Sequence, residues 1–264
     1  MPGLYKIFDE ILVNAADNYV RSATTKEKMD TLKVDFDSDQ GWIKVWNNGN
    51  SIPVQMHKEH KMYVPEMVFG HLLTSDNYDD TEAKITGGRN GYGAKLTNIF
   101  STKFIVETGD AKAKKKFKMI WTKNMDKKEE AKISDYSGPG YTMIQFWPDF
   151  KKFGMEKLDK DIVDLITKRT YDIAGVSGKN LKVSLNGTKL PVQTFTDYSL
   201  LFLEEEAQKV QEKTNERWEI VCALSTDGFQ QVSFVNSINT LKGGTHVEHD
   251  VCSDFKLERI VLNC

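Results

Sequence analysis

The chain has 264 residues, 39% of them hydrophobic and 28% charged, which supports one large domain or one domain with part of another. A formal net charge of −2 excludes a chain that is polycationic throughout, and no stretch approaches the roughly 20 apolar residues of a membrane span. Three cysteines (Cys222, Cys252, Cys264) without a CxxC pair argue against a disulfide framework and for a reducing compartment, cytosol or nucleus.

The N-terminus runs directly into a helical pattern, predicted over residues 4–20, with neither a signal nor a transit segment expected. Residues 33–36 and 42–46 alternate as two strands across a turn at 37–41. A helix is expected at 65–73, a polar, acidic, glycine-containing loop at 74–89, and a short helix at 94–100. Strands follow at 103–108, 116–122 and 141–146, then a long helix at 158–174 closed by Gly175. Residues 181–185 and 189–192 flank the hairpin signal Asn186-Gly187. Residues 204–216 read as a charged surface helix or linker, before strands at 218–224 and 230–235. The pattern is α+β, with helices on one face of a mostly antiparallel sheet. Between Ser101 and Lys132 stand ten lysines and five acids, among them Lys112, Lys114, Lys115, Lys116 and Lys118. A solvated hairpin tip accounts for them, and a phosphate-backbone contact is the sharper alternative.

The first helix carries an unusual row. At 100° per residue from Glu10, Asn14 lies at about 40°, Asp17 at about −20°, Asn18 at about 80° and Arg21 at about 20°. Apolar Ile7, Ile11 and Val13 border this stripe, which points to a polar site within a packed interior. Glu10 has the chemistry to hold a water and take its proton, and Asn14 offers a neutral oxygen to Mg²⁺. An amide-rich surface face accounts for the same spacing.

Residues Gly87, Gly88, Arg89, Asn90, Gly91, Tyr92, Gly93, Ala94 and Lys95 form a glycine loop leading into a helix, where backbone N–H groups can face an anion. It is not a Walker A loop, because Ala94 precedes Lys95 and Leu96 follows it, nor a dinucleotide fingerprint, whose glycine order is reversed here. Asn47, at the end of a strand beside Asn48-Gly49, can read an adenine edge or simply begin a turn.

Together these elements resemble the ATPase region of eukaryotic DNA topoisomerase II, in the GHKL group with gyrase, Hsp90, MutL and histidine kinases. The resemblance rests on Glu10-Ile11-Leu12-Val13-Asn14, on Asn47 to Pro53, and on Thr86 to Leu96. Longer wording selects the topoisomerase within the group: Pro2 to Glu10, Tyr63 to Met67, Phe69 to Thr74, Asn77 to Asp80 and Phe229 to Ser237. It implies a GHKL (Bergerat) fold, an α/β sandwich over residues 1–192, then the start of a transducer (ribosomal S5-like) domain at 193–264 with a divergent tail at 248–264.

By resemblance, Glu10 is the general base and Asn14 the Mg²⁺ ligand. Asn18 and Asn47 line the nucleotide site, Ser75, Asp76 and Asn77 belong to a lid, Gly88 to Lys95 cradle phosphates, and Thr142 lies near the base. The implied cofactors are ATP and Mg²⁺. The implied partners are DNA, through a full-length enzyme, and a second copy of the chain, with no membrane; the implied location is the nucleus. Ser51 stands where the family usually has glycine, so its hydroxymethyl group crowds a close backbone approach; Asp76 stands where serine is usual, and a carboxylate near phosphates is expected to weaken ATP binding unless a cation or Arg89 offsets it.

The family's N-terminal arm and the transducer lysine are not found in this sequence. The expectation is therefore a truncated product with impaired hydrolysis, no DNA cleavage and weakened dimerisation. A non-catalytic nucleotide-binding or interaction module is the alternative. His246, His249 and Cys252 have metal-like spacing but are too few for a zinc site. His57 and His60 read as exposed, and Trp42 and Trp46 as core or sheet packing, not a base-stacking platform.

Overall fold

The computed structural model describes residues 2–71, 91–204, 207–215, 217–224, 228–252 and 259–263, the last stretch and 249–252 by backbone alone. They fall into two units: Met1–Thr170 with Lys182–Lys189, and Tyr171–Leu181 with Leu190–Cys264.

In the first unit, helix α1 (Pro2–Ser22) carries its proline in the first turn, where a missing N–H leaves nothing unpaired. Leu4, Ile7, Phe8, Ile11, Leu12, Ala15 and Ala16 recur at helical spacing and are buried. Strands β1 (Thr31–Asp37) and β2 (Trp42–Asn48) pair antiparallel from Leu32↔Asn47 to Asp37↔Trp42. Between them the Asp37 carboxylate accepts the N–H groups of Asp39 and Gln40, and Gly41 supplies a φ of +66°.

Helices α2 (Val64–Gly70) and α3 (Gly93–Ile99) follow, then β3 (Ser101–Asp110), β4 (Lys115–Thr122), β5 (Lys127–Lys128), β6 (Lys132–Asp135) and β7 (Tyr141–Pro148). Helix α4 (Lys160–Ser177) gives its residues up to Thr170 to this unit, and β8 (Lys182–Leu185) and β9 (Thr188–Lys189) complete it. The sheet runs β5-β4-β3-β7-β2-β1-β8-β9, with β6 also on β4. Every pairing among these described strands is antiparallel except β1 with β8.

Period-two alternation gives this sheet two different faces. The inner face is apolar: Leu32, Val34, Ile43, Val45, Phe104, Val106, Phe117, Met119, Ile144 and Phe146 are buried. The helices cover it, as the sequence pattern requires. Phe69 of α2 lies 6.1 Å from Phe104, and Gly70 sits against the Trp121 indole. Trp42 and Trp46 are not core residues: they alternate with buried Ile43 and Val45 and lie half-buried on the outer face.

In the second unit, α5 (Phe195–Ser199), β10 (Lys209–Glu212), β11 (Glu219–Ala223), β12 (Gln230–Val235), β13 (Ile238–Asn239), α6 (Thr245–Cys252) and β14 (Arg259–Asn263) include a sheet ordered β10-β11-β14-β12-β13. Buried Tyr198 packs among Phe195, Phe202 and Phe234 and donates its hydroxyl to Asp172 at 2.7 Å. A capping box opens α5: Thr194 and Asp197 each accept the other's backbone N–H.

Four expectations of the sequence are corrected. Helix α4 continues through Gly175 to Ser177, because Gly175 is a contact glycine: a Cβ there would come within 2.5 Å of Tyr198. Part of the supposed linker at 204–216 is strand β10, whose four side chains are all exposed, so an edge strand shows no hydrophobic period. The second arm of the Asn186-Gly187 hairpin is only Thr188–Lys189. Helix α2 ends at Gly70, while residues 72 and 73 and the expected loop at 74–89 lie outside the described residues.

Candidate active site

Helix α3 crosses α1, and Thr97 pins the crossing by donating its hydroxyl to the Ile7 carbonyl at 2.9 Å. The crossing brings Gly93, the first residue of α3, onto Glu10. A Cβ on Gly93 would stand 1.9 Å from Glu10 Oε2 and 2.9 Å from Glu10 Cβ. The glycine is therefore dictated by the carboxylate beside it, since its φ needs no special freedom. Just before it, Gly91 does adopt a left-handed φ of +66°.

Glu10 is also held from its own helix. Lys6, one turn earlier, places Nζ 2.6 Å from Glu10 Oε1 and 3.7 Å from Asp9 Oδ2. Desolvation pulls the Lys6 pKa down, but the hydrogen bond and charge of Glu10 outweigh it and leave it above the ordinary lysine value. Asp9 faces the other way, buried, and accepts from Arg169 Nε of α4 at 2.7 Å. Adjacent carboxylates thus have different environments: Asp9 is locked into the helical layer and Glu10 borders the site.

The rest of the polar row departs from the expected enclosed stripe. Asp17 is buried, Glu10 and Asn18 are half-buried, and Asn14 and Arg21 are exposed. The stripe opens to solvent at Asn14, one turn from Glu10, where the amide has room for a partner. Asn18 donates to the Asn50 carbonyl at 3.0 Å and so ties α1 to the loop after β2.

That loop is built by close backbone approach. Gly49 has a φ of +95°, and a Cβ there would lie 2.8 Å from the Met29 backbone. A Cβ on Gly140 would lie 2.4 Å from the Gly49 carbonyl oxygen. Half-buried Ser51 sits in this same turn, its N 3.5 Å from that Gly140 position. Asn47 is buried on the inner face and is the register partner of Thr142, which in turn pairs with Thr108. Two of the expected base-end residues are thus neighbours on one face. Asp110 closes the loop by accepting the Val54 N–H at 2.9 Å.

On the glycine-loop side, Ala94 and Lys95 are buried, and Lys95 Nζ donates to the Gly91 carbonyl at 2.6 Å. Desolvation holds the Lys95 pKa below the ordinary lysine value. Tyr92 caps α3, accepting the Leu96 N–H at 2.8 Å through its carbonyl. Ser75, Asp76, Asn77, Gly88, Arg89 and Asn90 lie outside the described residues. Sequence reasoning missed Lys6, although its i,i+4 spacing from Glu10 was there to be seen. It also missed Arg169, for which 160 residues of separation leave no local signal.

A carboxylate-bearing helix, an Asn-Gly turn at a strand end and a glycine loop opening a second helix, all on the helical face of a mostly antiparallel sheet, define a GHKL (Bergerat) ATPase domain. Residues 2–151 match the family model of histidine kinase-, DNA gyrase B-, and HSP90-like ATPases. The chain is 56% identical over 258 residues to DNA topoisomerase 2 of Drosophila melanogaster, covering 95% of this chain and 18% of that protein. It is 55% identical to DNA topoisomerase 2-beta of Homo sapiens over 95% of this chain and 16% of that protein. The ATPase region of Saccharomyces cerevisiae topoisomerase II superposes with a TM-score of 0.91 at 44% identity, covering 100% of this chain and 73% of that one.

The chain belongs to the histidine kinase-, DNA gyrase B- and HSP90-like ATPase family, within its eukaryotic type II topoisomerase branch. It spans less than a fifth of the length of the curated relatives it matches.

Proposed function

We propose that this chain is the ATP-binding and ATP-hydrolysing module of a type II DNA topoisomerase, its first unit the ATPase domain and its second the beginning of a transducer. The apposition of Gly93 and Glu10 is the observation that carries this reading: the glycine loop has been brought onto the one helix carboxylate that borders the open polar row. The donor set fits Mg-ATP. Asn14 is a neutral, exposed amide for a cation that keeps most of its shell as water and phosphate oxygen. Gly91 and Gly93 leave backbone room for phosphates at the start of α3.

Bound Mg-ATP supplies the electrophilic phosphorus and the cation that neutralises its oxygens. Glu10, steadied by Lys6, orients a water and accepts its proton. Asn18 and Asn47, with Thr142 beside Asn47, hold the nucleoside end. Lys95 clamps the glycine loop through the Gly91 carbonyl. For Ser75, Asp76, Asn77, Gly88, Arg89 and Asn90, which lie outside the described residues, the lid and phosphate roles rest on the family resemblance alone. In the longer protein, turnover drives double-strand DNA passage by a homodimer in the nucleus.

The test is equilibrium binding of a non-hydrolysable ATP analogue with Mg²⁺ to the folded chain. Saturable binding that weakens on removal of Mg²⁺ is expected; no binding at millimolar analogue overturns the reading.

A further inference from the structure

The outer face of the large sheet has a composition that the nucleotide site does not explain. Four neighbouring strands and β1 lay out two register rows. One is Lys116–Gly109–Tyr141; the other is Lys118–Glu107–Met143–Trp46–Lys33. Gly109 makes room for rings: a Cβ there would lie 2.4 Å from Tyr141 and 2.6 Å from Tyr136. Tyr141 stacks on Trp46 with centroids 6.1 Å apart and an interplanar angle of 24°, and Tyr136 meets Tyr141 edge-on at 5.6 Å. The result is a cluster of half-buried rings, Tyr136–Tyr141–Trp46, on the outer face of the sheet.

Lysines stand at both ends of the cluster. Lys116 and Lys118 flank it on β4 and Lys33 on β1, four strand spacings or about 19 Å away. The carboxylates of this face are already engaged: Asp35 with Lys44 at 2.8 Å, and Glu107 with Lys118 at 3.6 Å and the Tyr141 hydroxyl at 2.7 Å. No carboxylate among the described residues pairs with Lys33 or Lys116 within salt-bridge distance. Lys33 instead rests its ammonium 4.7 Å from the Trp46 ring centroid, a contact that a flexible side chain can exchange for a phosphate. Beyond Lys116, the exposed tip adds Lys112 and Lys114; there Asp110 Oδ1 is taken up by the N–H groups of Lys112 and Ala113.

Rings that every base can stack on, flanked by cations at intervals that follow a backbone, are the two components of sequence-tolerant single-strand binding. A duplex hides its base faces, and an acidic peptide has no use for the rings. We propose that the outer face of the sheet binds single-stranded nucleic acid, a few nucleotides lying across β4, β3, β7 and β2. Bases stack on Trp46 and Tyr141, while Lys33 at one end and Lys116 at the other hold phosphates. The site is on the face opposite Glu10 and its operation does not require the nucleotide-site reading.

The experiment is fluorescence anisotropy of the whole chain with a labelled oligothymidine of about twelve nucleotides, at several salt concentrations. The expected result is saturable binding with a log–log salt slope near −0.7 per phosphate contacted, accompanied by quenching of tryptophan emission. Combining Lys33→Glu with Lys116→Glu should weaken binding about tenfold or more at low salt. Trp46→Phe should keep the binding and Trp46→Leu lose it. Because Trp46→Leu alone can disturb the sheet, the charge reversals stand as an independent arm, with circular dichroism confirming the fold. Absence of binding, indifference to the charge reversals, or equal competition by a duplex of the same length each overturns the proposal.

Discussion

Two ion pairs of nearly equal length lie on opposite sides of the same sheet. Asp9 and Arg169 meet at 2.7 Å in the helical layer, with side chains 9% and 0% exposed; Asp35 and Lys44 meet at 2.8 Å on the outer face, 22% and 31% exposed. The first pair has given up its water, so each partner depends on the other. The second remains partly hydrated and can be exchanged for other partners at little cost. Where charge is sealed in, it fixes α4 against the helix that presents Glu10; where it is left wet, it remains available for binding.

The contrast can be broken or sharpened by substitution. The largest effect is expected at Glu10: Glu10→Gln should lower ATP turnover by about 10²–10⁴-fold while analogue binding persists, and a turnover assay showing an unchanged rate would remove Glu10 from its role. Arg169→Met should destabilise the chain by about 3–5 kcal/mol in denaturant titration, because the Asp9 carboxyl group is left buried without this partner. Gly93→Ala should cut turnover by roughly ten- to a hundredfold and also lower the melting temperature, since the new methyl meets the Glu10 carboxylate at 1.9 Å and its Cβ at 2.9 Å, so that α1 and α3 must shift apart. The smallest effect belongs to the outer pair. Lys44→Ala should cost less than about 1 kcal/mol, and a loss comparable to that of Arg169→Met would erase the distinction between the faces.

The parts of the site that the sequence reveals are those that depend on short-range spacing. Glu10 and Asn14 share a helix face because 3.6 residues make a turn, and Asn47 is recognisable because an Asn-Gly turn ends its strand. The glycine loop announces itself by composition, but the reason for Gly93 does not: only the crossing of α3 over α1 reveals the carboxylate that excludes a side chain. Arg169 looked like any polar residue of a long helix until folding joined it to Asp9. Periodicity found the central strands, which bury one face, and failed at β10, whose side chains are all exposed. The same alternation that placed Ile43 and Val45 inside placed Trp42 and Trp46 outside, so of the two readings, core or sheet packing, only the second fits.

The parallel pairing of β1 with β8 has a consequence for how the chain comes to be folded. Thr31–Val34 finds its partner only at Lys182–Leu185, after the chain has passed through α4 into the second unit and returned. During synthesis, at about 5–20 residues per second, the β1 edge waits roughly seven to thirty seconds for that partner to be made. Lys33 stands in that edge as a charge on the exposed flank of a nascent sheet, where it discourages neighbouring chains from pairing first. A ribosome stalled before residue 182 would therefore hold α1 and its sheet with the β1 border unpaired and only the charge of Lys33 to guard it.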